Sequence, residues 1–355
     1  MSLPTRARDV RTSRVRTLLL VIGCADTSNA LSVAITGTNS GIGKSAASLL
    51  LADGHTVYHA CRTAEGSQQA VEAAGGGTPM VCDLADLASV RSFAAALTEQ
   101  APDLDVLCLN SGVSPSRKAE APRRTQDGFE ETIGINHLGH YCLARLLHPL
   151  LERNGGRLVV TASGVHDPDS PGGTVQGDKA TGATLGDLSG LGATDDGAPV
   201  MVDGAVVFGG AKAYHDSKLC NVLFSREAHR RWGAGGVSVR SFNPGLITDT
   251  GLFRAARRDN AISTALFSFV ATNLAGFSQP VEVGGARLAY AATASEADAP
   301  SGSYLSAPSA TSAAASRADG FGDAAVSKEA RDDALAARLW ERSAEVVGLA
   351  VAEGE

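Results

Sequence analysis

LSVAITGTNSGIGKSAASLLLADG, residues 31–54, reads as strand, glycine turn and helix in that order. Residues 31–37 are a short apolar run ending in glycine, and 41–54 carry apolar side chains at helical spacing. In that context a glycine motif builds a cradle for a dinucleotide. Gly37 permits the tight turn, Gly41 lets the backbone approach a pyrophosphate, and Gly43 lets the helix pack closely. The unpaired N–H groups at the helix start then favour the anion, with Asn39, Ser40 and Ile42 in the same turn.

Outward from this unit the chain keeps its rhythm. HTVYHA (55–60), TPMVCDL (78–84), LDVLCLNSG (104–112), GRLVVTAS (156–163) and GVSVRSFNPG (236–245) read as further strands. Helical patterns cover 85–100, 129–154 and 211–232, with another around 280–294 and a short strand near 303–305. The alternation predicts an α/β fold: a single Rossmann-like, doubly wound parallel sheet with helices on both faces. Residues 164–210 interrupt it with Gly, Asp, Thr, Ser and Pro and little periodicity, a long insertion just before the helix that carries Tyr214. The predicted dinucleotide-binding domain is 31–309, and 310–355 holds a low-complexity linker and a last helix near 328–347. That helix sets Ala334, Leu335, Leu339, Val346 and Val347 where they can dock on the domain.

Among 355 residues 44% are apolar and 19% charged, which suits a packed core and argues against disorder. A net charge of −7 argues against nucleic acid as a partner, because a phosphate backbone calls for a concentrated basic surface. Six cysteines (Cys24, Cys61, Cys82, Cys108, Cys142 and Cys220) show no C-x-x-C spacing, and most sit in apolar strands as small buried thiols. Residues 1–30 carry Arg6, Arg8, Arg11, Arg14 and Arg16 and then LLLVIGCA, too short to span a bilayer. They read as a targeting-like leader or a disordered tail.

Tyr214 and Lys218 stand four residues apart in GGAKAYHDSKLCN, on one face of a helix. An ammonium beside a phenol favours phenolate, and this suits proton transfer near neutrality. Arg62 follows the second strand where a carboxylate would bind a ribose 2′-hydroxyl; an arginine there suits a 2′-phosphate, so NADPH is the expected cofactor. Lys44 reads as a solvated first-turn lysine. Asp83 either accepts from the adenine amino group or caps a helix. Asn110 ends the fourth strand at the presumed crevice. His137 and His140 lie three apart without a third ligand nearby, so a packed or capping role is expected and no metal. His215 is expected to face solvent, and the aspartates at 195–196 and 332–333 read as loop and helix-start charges.

TGxxxGxG, Asp83-Leu84, Asn110-x-Gly112, Asn136, Ser163, Tyr214-x-x-x-Lys218 and Asn243-Pro244-Gly245 occur in the order of the short-chain dehydrogenase/reductase family, which residues 31–305 resemble. The resemblance implies a catalytic tetrad of Asn136, Ser163, Tyr214 and Lys218. Tyr214 would be the acid, with Lys218 lowering its pKa and holding the ribose. Ser163 would position substrate, and Asn136 would help hold a relay water. It extends the cofactor site to Leu84, Gly112, Pro244 and Gly245. GINHLGHY (134–141), GDLSGL (186–191), MVDGAVVFGGAKAYHDSKLCN (201–221), TGLFR (250–254) and LWERSAEVVGL (339–349) are similar to the light-dependent protochlorophyllide reductase branch, as are the long insertion and Cys220 two residues after the lysine.

That branch implies protochlorophyllide as substrate and, for this chain, a plastid (otherwise cytoplasmic) location and a homo-oligomer, while the sequence supports at most peripheral membrane association, through the insertion or the C-terminal helix. In the branch Cys220 is a second proton-donor candidate. Six residues on from Tyr214 is about 240° around a helix, so it is expected to face elsewhere and to pack or touch pigment. The chain departs from the branch at Ser114, where an aromatic would stand, and at Leu246, which replaces a cysteine near the pigment. Aromatics total only 5%, which keeps a dark NADPH-dependent reductase of another apolar substrate, such as a retinoid, as the alternative.

Overall fold

Alternating apolar side chains put each central strand between two layers of helices. In β4 (Val106–Leu109) Val106 and Cys108 enter one core while Leu107 and Leu109 enter the other, as the two-residue period of a strand dictates. The computed structural model describes residues 30–116, 119–192, 199–248, 278–308 and 312–350. Residues 1–29, TGLFR and the aspartates at 195–196 lie outside them.

β1 (Ser32–Thr36), β2 (Thr56–Cys61), β3 (Thr78–Val81), β4, β5 (Arg157–Thr161), β6 (Ser238–Phe242), β7 (Tyr304–Ser306) and β8 (Gly322–Asp323) form one sheet in the order 3-2-1-4-5-6-7-8. Every pair is parallel except β7–β8. The strand order reverses between β1 and β4, the place where open α/β sheets leave a crevice at the strands' carboxyl ends.

On one face α1 (Gly41–Ala52) and α6 (Val281–Thr293) bury Ala46, Leu50, Leu288 and Ala292. On the other lie α3 (Leu87–Gln100), α4 (His140–Asn154), α5 (Gly210–Trp232) and α7 (Asp333–Val346), which bury Phe93, Leu143, Leu219 and Trp340. Leu335 and Leu339 of α7 dock in this core, while Asp332 caps the helix through Leu335 N and Asp333 pairs with Arg226.

The insertion is built into the fold. Its 3-10 turns Gly164–His166 and Lys179–Thr181 and buried Ala183, Leu185, Leu188, Leu191 and Val202 join the main core. α2 (Ala64–Ala74) escapes a periodicity reading because its buried face is Gly66, Ser67 and Ala70. Its ends are nevertheless written in the chain: Thr63 caps it by accepting from Gly66 N, and Gly75 closes it at φ +86°. His215 does not face solvent. It is buried, with Nδ1 2.8 Å from the Thr181 carbonyl of the insertion, which covers that side of α5.

Candidate active site

The glycine turn closes over the end of β1. Gly37 (φ +76°) lies so near Ser111 that a β-carbon would stand 2.4 Å from its Oγ. A β-carbon on Gly43 would meet the Gly37 carbonyl at 2.3 Å and Asn110 Nδ2 at 2.7 Å. Ser40 precedes α1 in extended conformation and makes no side-chain cap, so the first N–H groups of the helix point toward the crevice without a side-chain partner from it. Asn39 and Ser40 are exposed, whereas Ile42 packs on Gly284 of α6. These features fit a pyrophosphate.

Gly43→Ala is expected to cost about 1–3 kcal/mol through overpacking, because the backbone it meets cannot step aside. A thermal melt and an NADPH titration should both shift; an unchanged titration would show that the turn can open.

The remaining cofactor candidates sort by their partners. Arg62 is exposed past the end of β2. Asp83 folds back on its own turn, Oδ1 accepting from Ala85 N at 3.0 Å, and its N–H donates to Ser89 Oγ. Leu84 is buried, its carbonyl 2.5 Å from where a β-carbon on Gly139 would be. Asn110 ties the ends of β1 and β4, donating from Nδ2 to the Thr36 carbonyl at 3.0 Å. Gly245 (φ +85°) follows Pro244, whose carbonyl accepts from buried Arg287 at 2.8 Å. Leu246 is half-buried nearby, its carbonyl accepting from Gln279 N at 2.8 Å.

The catalytic candidates converge beside this cradle. Ser163 follows β5, and its hydroxyl hydrogen-bonds the Tyr214 phenol on α5. Lys218 Nζ lies 5.6 Å from the Tyr214 ring centroid and donates to the Thr161 carbonyl at 3.1 Å. Gly112 lies between Lys218 and Asn136, because a β-carbon there would stand 3.8 Å from Nζ and 3.4 Å from Asn136 Oδ1.

Asn136 belongs to six π-helical residues, Gly134–Gly139, inserted between the short helical entry Glu131–Ile133 and α4. Its amide accepts from Val113 N at 2.8 Å and donates to the Val113 carbonyl at 2.9 Å and to Ser217 Oγ at 3.0 Å. One side chain thereby ties the loop after β4 to α5.

Electrostatics give these groups different states. Burial pushes the Tyr214 phenol above its usual value, with the Ser163 hydrogen bond opposing. Desolvation is the largest influence on the phenol, with Lys218 Nζ 5.6 Å from the ring centroid. Burial also brings Lys218 down to about 8. Cys220 is fully buried in the main core, and burial raises its thiol well above the ordinary value, with Asp216 adding to the rise. It packs in the core on α5, six residues on from Tyr214 and so about 240° around the helix. Cys61, Cys82, Cys108 and Cys142 are likewise buried and free.

Sequence reasoning passed over Thr36 and assigned His140 only a packed or capping role. Thr36 Oγ1 accepts from the N–H groups of Asn110 and Ser111 at 2.9 and 3.0 Å. The Asn136 carbonyl can only accept, so the His140 proton sits on Nδ1, 3.2 Å away, and Thr36 Oγ1 donates to Nε2 at 3.0 Å. Burial drives His140 down to about 3, and this keeps it neutral. The signal for Thr36 was its place directly before Gly37. His137 bonds Ser343 Oγ of α7 at 2.8 Å.

A doubly wound sheet with this cradle and a Ser–Tyr–Lys group at its switch point defines a short-chain dehydrogenase/reductase, and the short chain dehydrogenase family model matches residues 32–175. The chain is 37% identical over 330 residues to protochlorophyllide reductase A, chloroplastic, of Triticum aestivum, covering 90% of this chain and 80% of the relative. It is 36% identical over 324 residues to the chloroplastic protochlorophyllide reductase of Chlamydomonas reinhardtii, covering 89% and 77%. A crystal structure from Mycobacterium paratuberculosis superposes with a TM-score of 0.63 at 26% identity, covering 91% of this chain and 95% of that one. Levodione reductase, at 20% identity and TM-score 0.55 over 75% of this chain and 91% of its own, shares the fold. The chain belongs to the protochlorophyllide reductase family of short-chain dehydrogenases.

Proposed function

We propose that this oxidoreductase uses NADPH and light to reduce the ring-D C17=C18 double bond of protochlorophyllide, giving chlorophyllide. The observation that carries the reading is the Ser163–Tyr214–Lys218 group beside the glycine cradle, in a chain similar over most of its length to protochlorophyllide reductases. A dark reductase of a retinoid-like substrate is not favoured by these relatives.

NADPH, when bound, supplies the hydride. The turn from Gly37 to Gly43, with Asn39 and Ser40 exposed in it, would hold its pyrophosphate, and Arg62 its 2′-phosphate. Asp83, Leu84, Asn110, Gly112, Pro244 and Gly245 would line the rest of that site. Tyr214 holds its proton at neutral pH and delivers it from the phenol oxygen to the substrate carbon. Ser163 orients that phenol through its hydroxyl. Lys218 brings positive charge to the same crevice, and Asn136 fixes the loop and helix on either side of it. Leu246 borders the substrate side. Cys220 acts as packing.

Arg62→Ala removes charge-assisted bonds to a 2′-phosphate worth about 1.5–3 kcal/mol, so NADPH affinity is expected to fall roughly ten- to a hundredfold. NADH affinity should barely move. Equal losses for the two cofactors would take Arg62 out of the site.

The direct test is the absorption spectrum of the protein with NADPH and protochlorophyllide, recorded dark and after a flash. A flash-dependent red shift to the chlorophyllide band that needs NADPH is expected. Pigment that binds and stays unchanged would refute turnover, and no pigment binding would refute the substrate.

A plastid location is part of this proposal, supported by relatives named chloroplastic. Among the described residues no helix is long and apolar enough to cross a membrane. Peripheral contact through the insertion is supported by exposed Val206 and Val207. A homo-oligomer rests on the family resemblance alone.

A further inference from the structure

His166 lies three residues past the catalytic serine, in the 3-10 turn that follows β5, and is 2% exposed. Its two ring nitrogens have partners of fixed character. Nδ1 is 2.7 Å from the Ser163 carbonyl, which can only accept. Nε2 is 3.2 Å from the Ser327 backbone N–H, which can only donate. One state satisfies both: a neutral ring with its proton on Nδ1. An imidazolium would set a second N–H against that of Ser327. The Tyr304 ring packs edge-on at 5.0 Å and leaves little room to turn. Burial lowers the His166 pKa, with the Ser163 bond and Asp167 opposing, in keeping with a neutral ring.

The two ends of this bridge matter to different parts of the molecule. Ser163 holds the Tyr214 phenol through its hydroxyl, while its main chain is extended at φ −168°. β5 has ended at Thr161, so its ladder no longer holds the Ser163 carbonyl. That oxygen instead accepts from the His166 ring at 2.7 Å and, at 3.3 Å, from the His166 backbone N–H. On the far side Ser327 Oγ accepts from Ala330 N at the start of the Glu329–Arg331 turn, which runs into α7.

We propose that His166 is a positioning residue for Ser163: its Nδ1–H holds the serine carbonyl, and its Nε2 anchors the ring to the C-terminal segment at Ser327. The proposal rests on the reading of Ser163 as part of the active site.

Asparagine and glutamine separate the two bonds. In His166→Asn the side-chain amide can take the place of Nδ1–H and still donate to Ser163. In His166→Gln the side-chain oxygen can reach the position of Nε2 and accept from Ser327, leaving the serine carbonyl only its longer main-chain bond. Flash turnover of the full chain should stay within about threefold in the Asn variant and fall about 10- to 100-fold in the Gln variant. NADPH affinity should be unchanged in both. Equal turnover in variants of equal melting temperature would overturn the proposal, as would a loss that follows melting temperature alone.

A second measurement needs neither variant nor turnover. Isotope-labelled histidine spectra of the unmutated protein should show a buried ring protonated at Nδ1 and coupled across a hydrogen bond to the Ser327 N–H. A ring at this position protonated at Nε2 overturns the assignment. Ser163→Ala, run alongside, keeps the two readings apart. If it leaves flash turnover intact, the reading of the site fails; if it impairs turnover while the Asn and Gln variants match, only the positioning role fails.

Discussion

Tyr214→Phe is expected to lower kcat by about 10²- to 10⁴-fold, the usual contribution of a positioned proton donor. The NADPH dissociation constant should stay within about fivefold, because losing one neutral hydrogen bond costs about 1 kcal/mol or less when water can compensate. The structure makes the case specific. The residue is half-buried, its phenol hydrogen-bonds Ser163, and burial holds it protonated at neutral pH. Phenylalanine keeps the ring over which Lys218 lies and deletes only the hydroxyl. Rapid-scan spectra after a flash would follow hydride and proton steps separately. Full turnover in the Phe variant would move the proton donor elsewhere, and buried Cys220 would need to reach the pigment from the far side of α5.

Lys218→Met should abolish most turnover and raise stability at the same time. The side chain is 3% exposed, and burial alone lowers its pKa from 10.5 to about 8. At about 1.4 kcal/mol per unit, keeping that ammonium charged inside the fold costs on the order of 3 kcal/mol. The sign follows from proton counting. Below about 8 the lysine is charged in both the folded and unfolded chain, so the full cost is present. Between about 8 and 10.5 the unfolded chain binds more protons, and stability recovers as pH rises through that window. Methionine removes the charge and fills most of the same space, so the melting temperature at neutral pH should rise. In the unmutated protein kcat should fall as pH rises through about 8, when the charge is lost. A variant that melts lower would mean that the Thr161 bond outweighs desolvation, and a flat profile above 8 would mean that the charge plays no part in turnover.

The parts of this molecule that were legible in the chain are those with a period or a punctuation mark. β1, the glycine turn and α1 were readable because an apolar run, Gly37 and a helical repeat occur in sequence. The spacing of Tyr214 and Lys218 placed both side chains on one face of α5, and the same arithmetic put Cys220 on another. α2 was not legible by period because it buries small residues. The two-residue strand β8 has no pattern at all; it exists because Leu305 and Ser306 have an edge to pair with. Tyr214 shows a related limit: spacing reveals that a lysine is near, but the desolvation that raises the phenol comes from residues distant in sequence. The histidines show the same limit. His140 and His166 each have one local partner, Asn136 and Ser163, but their second partners, Thr36 and Ser327, meet them only after folding.

The docking of α7 has an optical consequence. The chain has two tryptophans, and both belong to the seam beneath that helix, Trp232 on α5 and Trp340 on α7, their rings 5.2 Å apart and nearly perpendicular. Trp340 also stacks on Phe224 at 5.8 Å, and Tyr141 meets it edge-on at 5.2 Å. Both indoles are buried in the core that α7 closes. The protein's intrinsic ultraviolet emission is therefore a gauge of how firmly its C-terminal segment is seated, and a bound pigment would register in it through energy transfer.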